Sequence, residues 1–142
     1  MDVNITRKIR LSYLKKILIV DDDTDIVKYL STLFMDNNFE VSTAFNGKEC
    51  MEKAVSEHPD LITLDITMPV ETGVRVLRNL KEKKETERIP VIIISGITNG
   101  IHKFLNGLKR AEPKIVYFDK PIDRNKLMTK INEILKNKYC KV

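Results

Sequence analysis

The stretch ILIVDDDTDI, residues 17–26, passes directly from four branched apolar residues to three consecutive aspartates. A continuous apolar run of this length is typical of a parallel β-strand that is buried on both faces. Asp21 and Asp22 then fall at the carboxyl end of the strand, and Asp23 or Thr24 can cap a helix that begins there. Because neighbouring carboxylates repel one another, the triple aspartate indicates a use for concentrated negative charge at this strand end.

Short runs of β-branched residues alternate with helical patterns along the rest of the chain. The predicted strands are 16–20, 39–45, 61–65, 91–95 and 114–118. The predicted helices, in which apolar residues recur at spacings of three and four, are 24–37, 47–57, 73–83, 99–110 and 124–138. Strict alternation predicts a doubly wound α/β fold, with five parallel strands between helices on both faces. The fourth helix is the weakest prediction, since interior glycines disfavour helix formation.

Length and composition indicate one globular domain. The chain has 142 residues, of which 42% are hydrophobic and 32% are charged. We assign residues 1–15 to an N-terminal extension, 16–138 to the domain and 139–142 to a C-terminal tail. The N-terminal segment lacks the apolar core of a secretory signal, and the apolar runs are too short to span a membrane, so we expect a cytoplasmic protein. Cys50 and Cys140 do not form a CxxC pattern, which argues against a disulfide framework or a zinc site.

Basic residues concentrate at the two ends of the chain, within a net charge of +5. They are Arg7, Lys8, Arg10, Lys15, Lys16, Lys136, Lys138 and Lys141. Such a charge excess can indicate nucleic-acid or membrane binding. No aromatic residues are interleaved to stack on bases, however, and cations also suit the C-terminus of a helix. We therefore expect no direct binding to nucleic acid or to a membrane.

Polar residues end four of the five predicted strands or follow them closely: Asp21 and Asp22, Asp65, Ser95 and Lys120. In a parallel sheet of this kind, ligands bind outside the carboxyl ends of the strands. Several carboxylates in one crevice need a cation, and oxygen ligands suit Mg²⁺. Lys120 can neutralise an anion, and Asp65 is the carboxylate left to act as a nucleophile towards a phosphoryl group.

Four stretches in this order carry a resemblance to a known family: ILIVDDD (17–23), PDLITLDITMPVETG (59–73), PVIIISG (90–96) and YFDKPID (117–123). Over roughly residues 16 to 138, the chain resembles the receiver domain of bacterial two-component response regulators, in particular CheY-like single-domain receivers. The resemblance implies a flavodoxin-like sheet with strand order 2-1-3-4-5. It also implies that Asp65 is the phospho-acceptor, and that Asp21, Asp22, Asp65 and the backbone carbonyl of Thr67 hold Mg²⁺.

The same resemblance assigns roles to three further residues. Ser95 and Lys120 would contact the phosphoryl group, and Tyr117 would be the aromatic switch that turns inward after phosphorylation. The peptide bond between Lys120 and Pro121 would be cis. Three features depart from the family pattern: Gly96 replaces a common alanine, 25 positions separate Ser95 from Lys120, and RAEPK (110–114) precedes the fifth strand. They lead us to expect that phosphorylation changes mobility most in residues 96–113.

The function implied by the resemblance is a phosphorylation-dependent signalling receiver. A sensor histidine kinase or a histidine phosphotransfer protein would donate the phosphoryl group, and the face formed by the fourth helix, fifth strand and fifth helix would bind a downstream protein. The chain would catalyse its own phosphotransfer and dephosphorylation without being a dedicated enzyme. Alternatives are a phosphorelay intermediate, a receiver fragment of a larger regulator, a phosphatase or phosphotransferase that uses an aspartyl-phosphate, and a binding module without phosphorylation.

Overall fold

The computed structural model of the chain describes residues 4, 14–66, 70–96 and 115–140. Five strands are present in this part of the chain: β1 (Lys16–Val20), β2 (Glu40–Ala44), β3 (Leu61–Leu64), β4 (Val91–Ser95) and β5 (Val116–Asp119). The helices within it are α1 (Thr24–Asp36), α2 (Gly47–Glu57), α3 (Val70–Glu82) and α4 (Arg124–Cys140). The predicted helix over 99–110 lies outside the described residues, so α4 corresponds to the fifth predicted helix.

The five strands form one parallel sheet with the order β2-β1-β3-β4-β5. The predicted fold class and strand order are therefore confirmed. β1 lies between β2 and β3, with Val20 opposite both Ala44 and Leu64. The strand order reverses at β1, and in open α/β sheets ligands bind outside the carboxyl ends of the strands at such a switch point.

Alternate side chains of the strands enter two apolar layers, as the period of two in a β-strand requires. One layer joins the sheet to α2 and α3, and it includes Leu18, Val20, Ile62, Leu64, Ala54 and Leu77. The other joins the opposite face to α1 and α4, and it includes Ile17, Ile19, Ile92, Leu30, Phe34 and Leu127. Burial on both faces explains why the central strands are continuous apolar runs instead of alternating ones.

Several element boundaries differ from the sequence prediction by one to three residues, including the start of α3 and the end of β5. Helix α3 begins at Val70, three residues before the predicted start at Gly73. Gly73 therefore lies inside the helix, although glycine usually disfavours helix interiors. Strand β5 runs to Asp119, because Asp119 pairs with Ser95 on β4 and pairing decides where a strand ends.

Local hydrogen bonds define the ends of the helices. The Asp23 carboxylate caps α1 by accepting from the backbone N–H of Asp25 at 2.9 Å, as predicted for this position. Helix α2 ends at Glu57, and its C-cap residue His58 adopts the left-handed conformation with φ 49°. The Lys120–Pro121 peptide bond is cis, as expected. None of the helices described is long and apolar enough to cross a membrane.

Candidate functional site

The sheet register brings Asp21 and Asp65 side by side. Val20 and Leu64 are paired residues on β1 and β3, so the next residue on each strand emerges at the same edge. The backbone N–H of Asp65 donates to the Val20 carbonyl at 2.9 Å, and that of Asp21 donates to the Ala44 carbonyl at 3.2 Å. These bonds extend the ladder past the strand ends and hold both aspartates in place.

Three carboxylates converge at this edge, from Asp21, Asp22 and Asp65. One oxygen of each lies within 4.8 Å of one oxygen of the other two. Asp21 and Asp65 are buried, while Asp22 is exposed to solvent. The convergence of carboxylates predicted from the sequence is thus present, and the cluster has one side open to a ligand.

Lys120 contacts both buried carboxylates of the cluster. Its Nζ lies 3.3 Å from Asp21 Oδ2 and 3.5 Å from Asp65 Oδ2. The backbone N–H of Lys120 donates to the carbonyl of Ser95 at 3.0 Å, which ties the start of the loop after β5 to the end of β4. The ammonium therefore sits between the two buried aspartates although it is 55 residues or more distant in sequence.

Burial raises the pKa of the Asp21 carboxyl to about 6. The negative charge of Asp65 raises this pKa further, while the hydrogen bond from the Asp23 backbone N–H and the ammonium of Lys120 lower it. The Asp23 N–H reaches Asp21 Oδ1 at 2.9 Å. In the absence of a metal, protein groups alone do not fully compensate the charge of this carboxylate.

The donor set of the cluster fits a divalent cation with oxygen ligands. Three carboxylates (−3) and the Lys120 ammonium (+1) leave a charge of −2 when all are ionised. Mg²⁺ binds carboxylate oxygens and retains positions for water and phosphate oxygens. Asp21, Asp22 and Asp65 are the residues that would hold it. Thr67, the further ligand implied by the sequence, lies outside the described residues.

Ser95 and Tyr117 occupy the neighbouring strands β4 and β5. Ser95 is the last residue of β4 and is fully buried. Tyr117 lies on β5 opposite Ile93, and its half-buried ring packs against the layer that contains α2 and α3. The Tyr117 hydroxyl donates to Asp119 Oδ1 at 2.6 Å. The roles of Ser95 and Tyr117 at a phosphoryl group stay predictions.

Gly73 supports the site in a way that the sequence analysis did not identify. A Cβ atom at this position would lie 2.9 Å from the Cα and 3.0 Å from the backbone oxygen of Ile66, the residue after Asp65. Only glycine therefore lets α3 pack this closely against the turn that follows the Asp65 carboxylate. The available signal was the glycine that ends the stretch PDLITLDITMPVETG, which breaks an otherwise helical pattern.

Comparisons with known proteins agree with this geometry. The sequence model of the response regulator receiver domain matches residues 17–132. The response regulator ArlR of Staphylococcus aureus is 31% identical over 121 residues, which are 85% of this chain and 52% of that protein. The chain thus spans about half the length of the curated relatives that it matches.

Solved structures of receiver domains share the fold. A CheY-like receiver domain protein from Methanospirillum hungatei is 27% identical, with a TM-score of 0.75 over 87% of this chain and 95% of that one. The receiver domain of a Francisella response regulator is 30% identical, with a TM-score of 0.73 over 87% of this chain and 98% of that one. The match to the family over most of the sequence, together with the shared fold, shows that this chain belongs to the response regulator receiver domain family.

Proposed function

We propose that this receiver accepts a phosphoryl group on Asp65, with Mg²⁺ bound, from a sensor histidine kinase or a histidine phosphotransfer protein. The observation that carries the proposal is the position of the Lys120 ammonium, 3.5 Å from Asp65 Oδ2 and 3.3 Å from Asp21 Oδ2, beside a cluster of three carboxylates. A cation next to a carboxylate nucleophile can attract an incoming phosphoryl group and neutralise the charge that develops on it.

Asp65 is the best placed of the three carboxylates to act as the nucleophile. Lys120 contacts both buried carboxylates, and Asp21 additionally accepts through Oδ1 from the Asp23 backbone N–H. Asp22 is exposed, where water solvates its charge and weakens it as a nucleophile. Asp65 is buried at the end of the central strand β3, with its backbone held by the ladder to β1.

The chemical step forms one bond and breaks one bond. An oxygen of Asp65 attacks phosphorus, and the P–N bond of the donor phosphohistidine breaks, with the electron pair leaving on the imidazole nitrogen. Mg²⁺, when bound, supplies charge neutralisation for the phosphoryl oxygens. The Lys120 ammonium binds one phosphoryl oxygen and so orients the group, and the buried Ser95 hydroxyl donates to another phosphoryl oxygen.

Hydrolysis of the aspartyl-phosphate makes the signal temporary. Attack of water on the phosphorus of the aspartyl-phosphate regenerates the Asp65 carboxylate and releases inorganic phosphate, so the receiver turns itself off without being a dedicated enzyme. A phosphorelay intermediate would use the same two steps, with a histidine of another protein in place of water. Because the donor kinase would draw on ATP, the proposal also places the receiver in the cytoplasm.

The output is a change of binding surface. In the proposed switch, Ser95 moves towards the phosphoryl group and Tyr117 turns inward from β5. In the sequence, Ser95 and Tyr117 flank residues 97–114, and β5 and α4 form the part of the proposed surface that the structure describes. A downstream protein would bind this surface more tightly in one arrangement than in the other, which is the condition for phosphorylation to regulate it.

Phosphorylation of Asp65 can be tested with a small phosphoramidate donor, Mg²⁺ and intact-protein mass spectrometry. We expect wild-type protein to gain one phosphoryl group that is stable to acid and labile to base. Asp65→Asn should gain none, because the amide is isosteric but a poor nucleophile. Asp25→Asn is the matched control, since Asp25 is an exposed aspartate in the first turn of α1 outside the cluster. Undiminished labelling of Asp65→Asn would refute the assignment.

The metal site has its own test. Asp22→Ala should weaken Mg²⁺ binding in a calorimetric or spectroscopic titration, because it removes one of the three converging carboxylates. Asp25→Ala should leave the titration unchanged. Equal metal affinity in wild-type protein and Asp22→Ala would exclude Asp22 as a ligand.

A further inference from the structure

The Tyr117 side chain is joined to a carboxylate two residues further along the same strand. Its hydroxyl donates to Asp119 Oδ1 at 2.6 Å. Residues i and i+2 of a strand point to the same face, so the two side chains lie side by side on β5. This pairing is separate from the cluster of three carboxylates.

The bond has the length of a strong interaction. Hydrogen bonds from a hydroxyl to an ionised carboxylate are typically about 2.5–2.7 Å long and roughly twice as strong as neutral ones. Burial of the ring and the bond to Asp119 raise the pKa of Tyr117 to about 12, so the hydroxyl keeps its proton at neutral pH. Asp119 itself is exposed, which fixes the hydroxyl end of the ring at the protein surface.

Asp119 is also connected to the site through its place on β5. It pairs with Ser95 on β4, and the next residue is Lys120, whose ammonium contacts Asp21 and Asp65. Asp119 thus adjoins both residues proposed to contact the phosphoryl group, Ser95 on the neighbouring strand and Lys120 along the chain. A movement of Ser95 or Lys120 would therefore act on the backbone of Asp119.

We propose that Asp119 is a positioning residue that holds Tyr117 in its surface-facing orientation and so opposes the switch before phosphorylation. This inference rests on the proposed function. An inward turn of the Tyr117 ring must break the hydrogen bond to Asp119, which biases the resting receiver towards the inactive arrangement. Removal of Asp119 should therefore raise the population of the active arrangement and tighten the binding of a phosphoryl mimic.

A direct charge effect would act in the same direction and must be separated from the hydrogen bond. Asp119 neighbours Lys120, so its negative charge can weaken anion binding without any role for Tyr117. A double-mutant cycle distinguishes the two, because only the hydrogen bond depends on the Tyr117 hydroxyl.

The test is a titration of the full chain with beryllofluoride and Mg²⁺, followed by NMR, for wild type, Asp119→Ala, Tyr117→Phe and the double variant. We expect Asp119→Ala to tighten beryllofluoride binding about two- to tenfold, the range of one modest hydrogen bond. In the Tyr117→Phe background the same substitution should change the affinity little. Asp119→Asn, which keeps a neutral acceptor, should fall between wild type and Asp119→Ala.

A second readout examines the hydrogen bond without any phosphoryl mimic. Three-bond couplings of the Tyr117 side chain should indicate one rotamer in wild-type protein and averaging between rotamers in Asp119→Ala. Equal effects of Asp119→Ala in both backgrounds, or an unchanged Tyr117 rotamer, would overturn the inference. Failure of every variant to bind beryllofluoride would instead refute the proposed function, while the rotamer measurement would still decide the role of Asp119.

Discussion

Replacing Asp21 with asparagine should stabilise the metal-free protein at neutral pH. The Asp21 carboxyl is buried beside Asp65, and its pKa is raised from 3.8 to about 6. Asparagine imitates the protonated carboxyl: its side-chain oxygen can still accept from the Asp23 backbone N–H, and it carries no charge. The substitution therefore removes the repulsion and the desolvation cost, together with the attraction to Lys120.

The magnitude follows from the difference between the folded and unfolded pKa values of Asp21. The folded protein binds the proton more tightly, so the stabilisation by protonation is complete below pH 3.8 and is lost as the pH rises through about 6. A shift of about two units corresponds to roughly 3 kcal/mol at 1.36 kcal/mol per unit. This value is an upper limit, because the asparagine amide brings two N–H donors into a buried position where they need partners.

Urea unfolding with a chelator at several pH values measures the effect. The free energy of unfolding of Asp21→Asn should match that of wild type near pH 4 and exceed it by about 1–3 kcal/mol at pH 7. The difference between the two proteins cancels contributions from other titrating groups. Added Mg²⁺ should reverse the order, because wild type binds it with one more carboxylate and gains more stability by mass action.

A difference between the two proteins that stays constant from pH 4 to pH 7 would contradict this account. So would a relative loss of stability by Asp21→Asn as the pH rises in the absence of metal. The first result would mean that Lys120 and the Asp23 N–H offset the effects of burial and Asp65 on the Asp21 carboxylate, and the second that they outweigh those effects.

Three further predictions concern packing and backbone conformation, with urea unfolding as the measurement. Gly73→Ala should destabilise the fold by about 1–3 kcal/mol, because its Cβ would lie 2.9 Å from the Ile66 Cα. Gly96→Ala is the control, since a Cβ there would have its nearest contacts at 3.8 Å, and an equal loss of stability in both variants would contradict the argument. Thr63→Val should stabilise by about 1 kcal/mol because the buried Thr63 hydroxyl has no hydrogen-bond partner, and a loss would indicate a missed one. His58→Gly should stabilise by about 1 kcal/mol by relieving a left-handed residue at φ 49°, and no gain would show that the strain is absent.

The sequence was sufficient to predict the fold class because the burial of a strand or helix determines the spacing of apolar residues within it. Strands β1 and β4 and helix α2 have the bounds that their apolar patterns predict. A strand buried on both faces must be apolar at every position, and a helix that covers a sheet must be apolar at every third or fourth one. The alternation of these two patterns limits the topology to a parallel sheet with crossover helices.

The carboxylate cluster was predictable for the same reason, since Asp21, Asp22 and Asp65 all follow buried runs. Parallel strands end at one edge of the sheet, so residues just after them must lie near one another. Their approach within 4.8 Å confirms the predicted placement. The roles of these residues in phosphorylation remain proposals.

Tertiary structure alone decided the contacts that depend on packing between distant segments. The need for glycine at position 73 follows from the distance between α3 and Ile66, which no pattern within the helix records. The sequence predicted Lys120 at this edge of the sheet, but its contacts with both Asp21 and Asp65 depend on how the sheet places its strand ends. Apolar periodicity reports which face of an element is buried; it does not report how closely two elements approach, because that distance is set by the side chains of both.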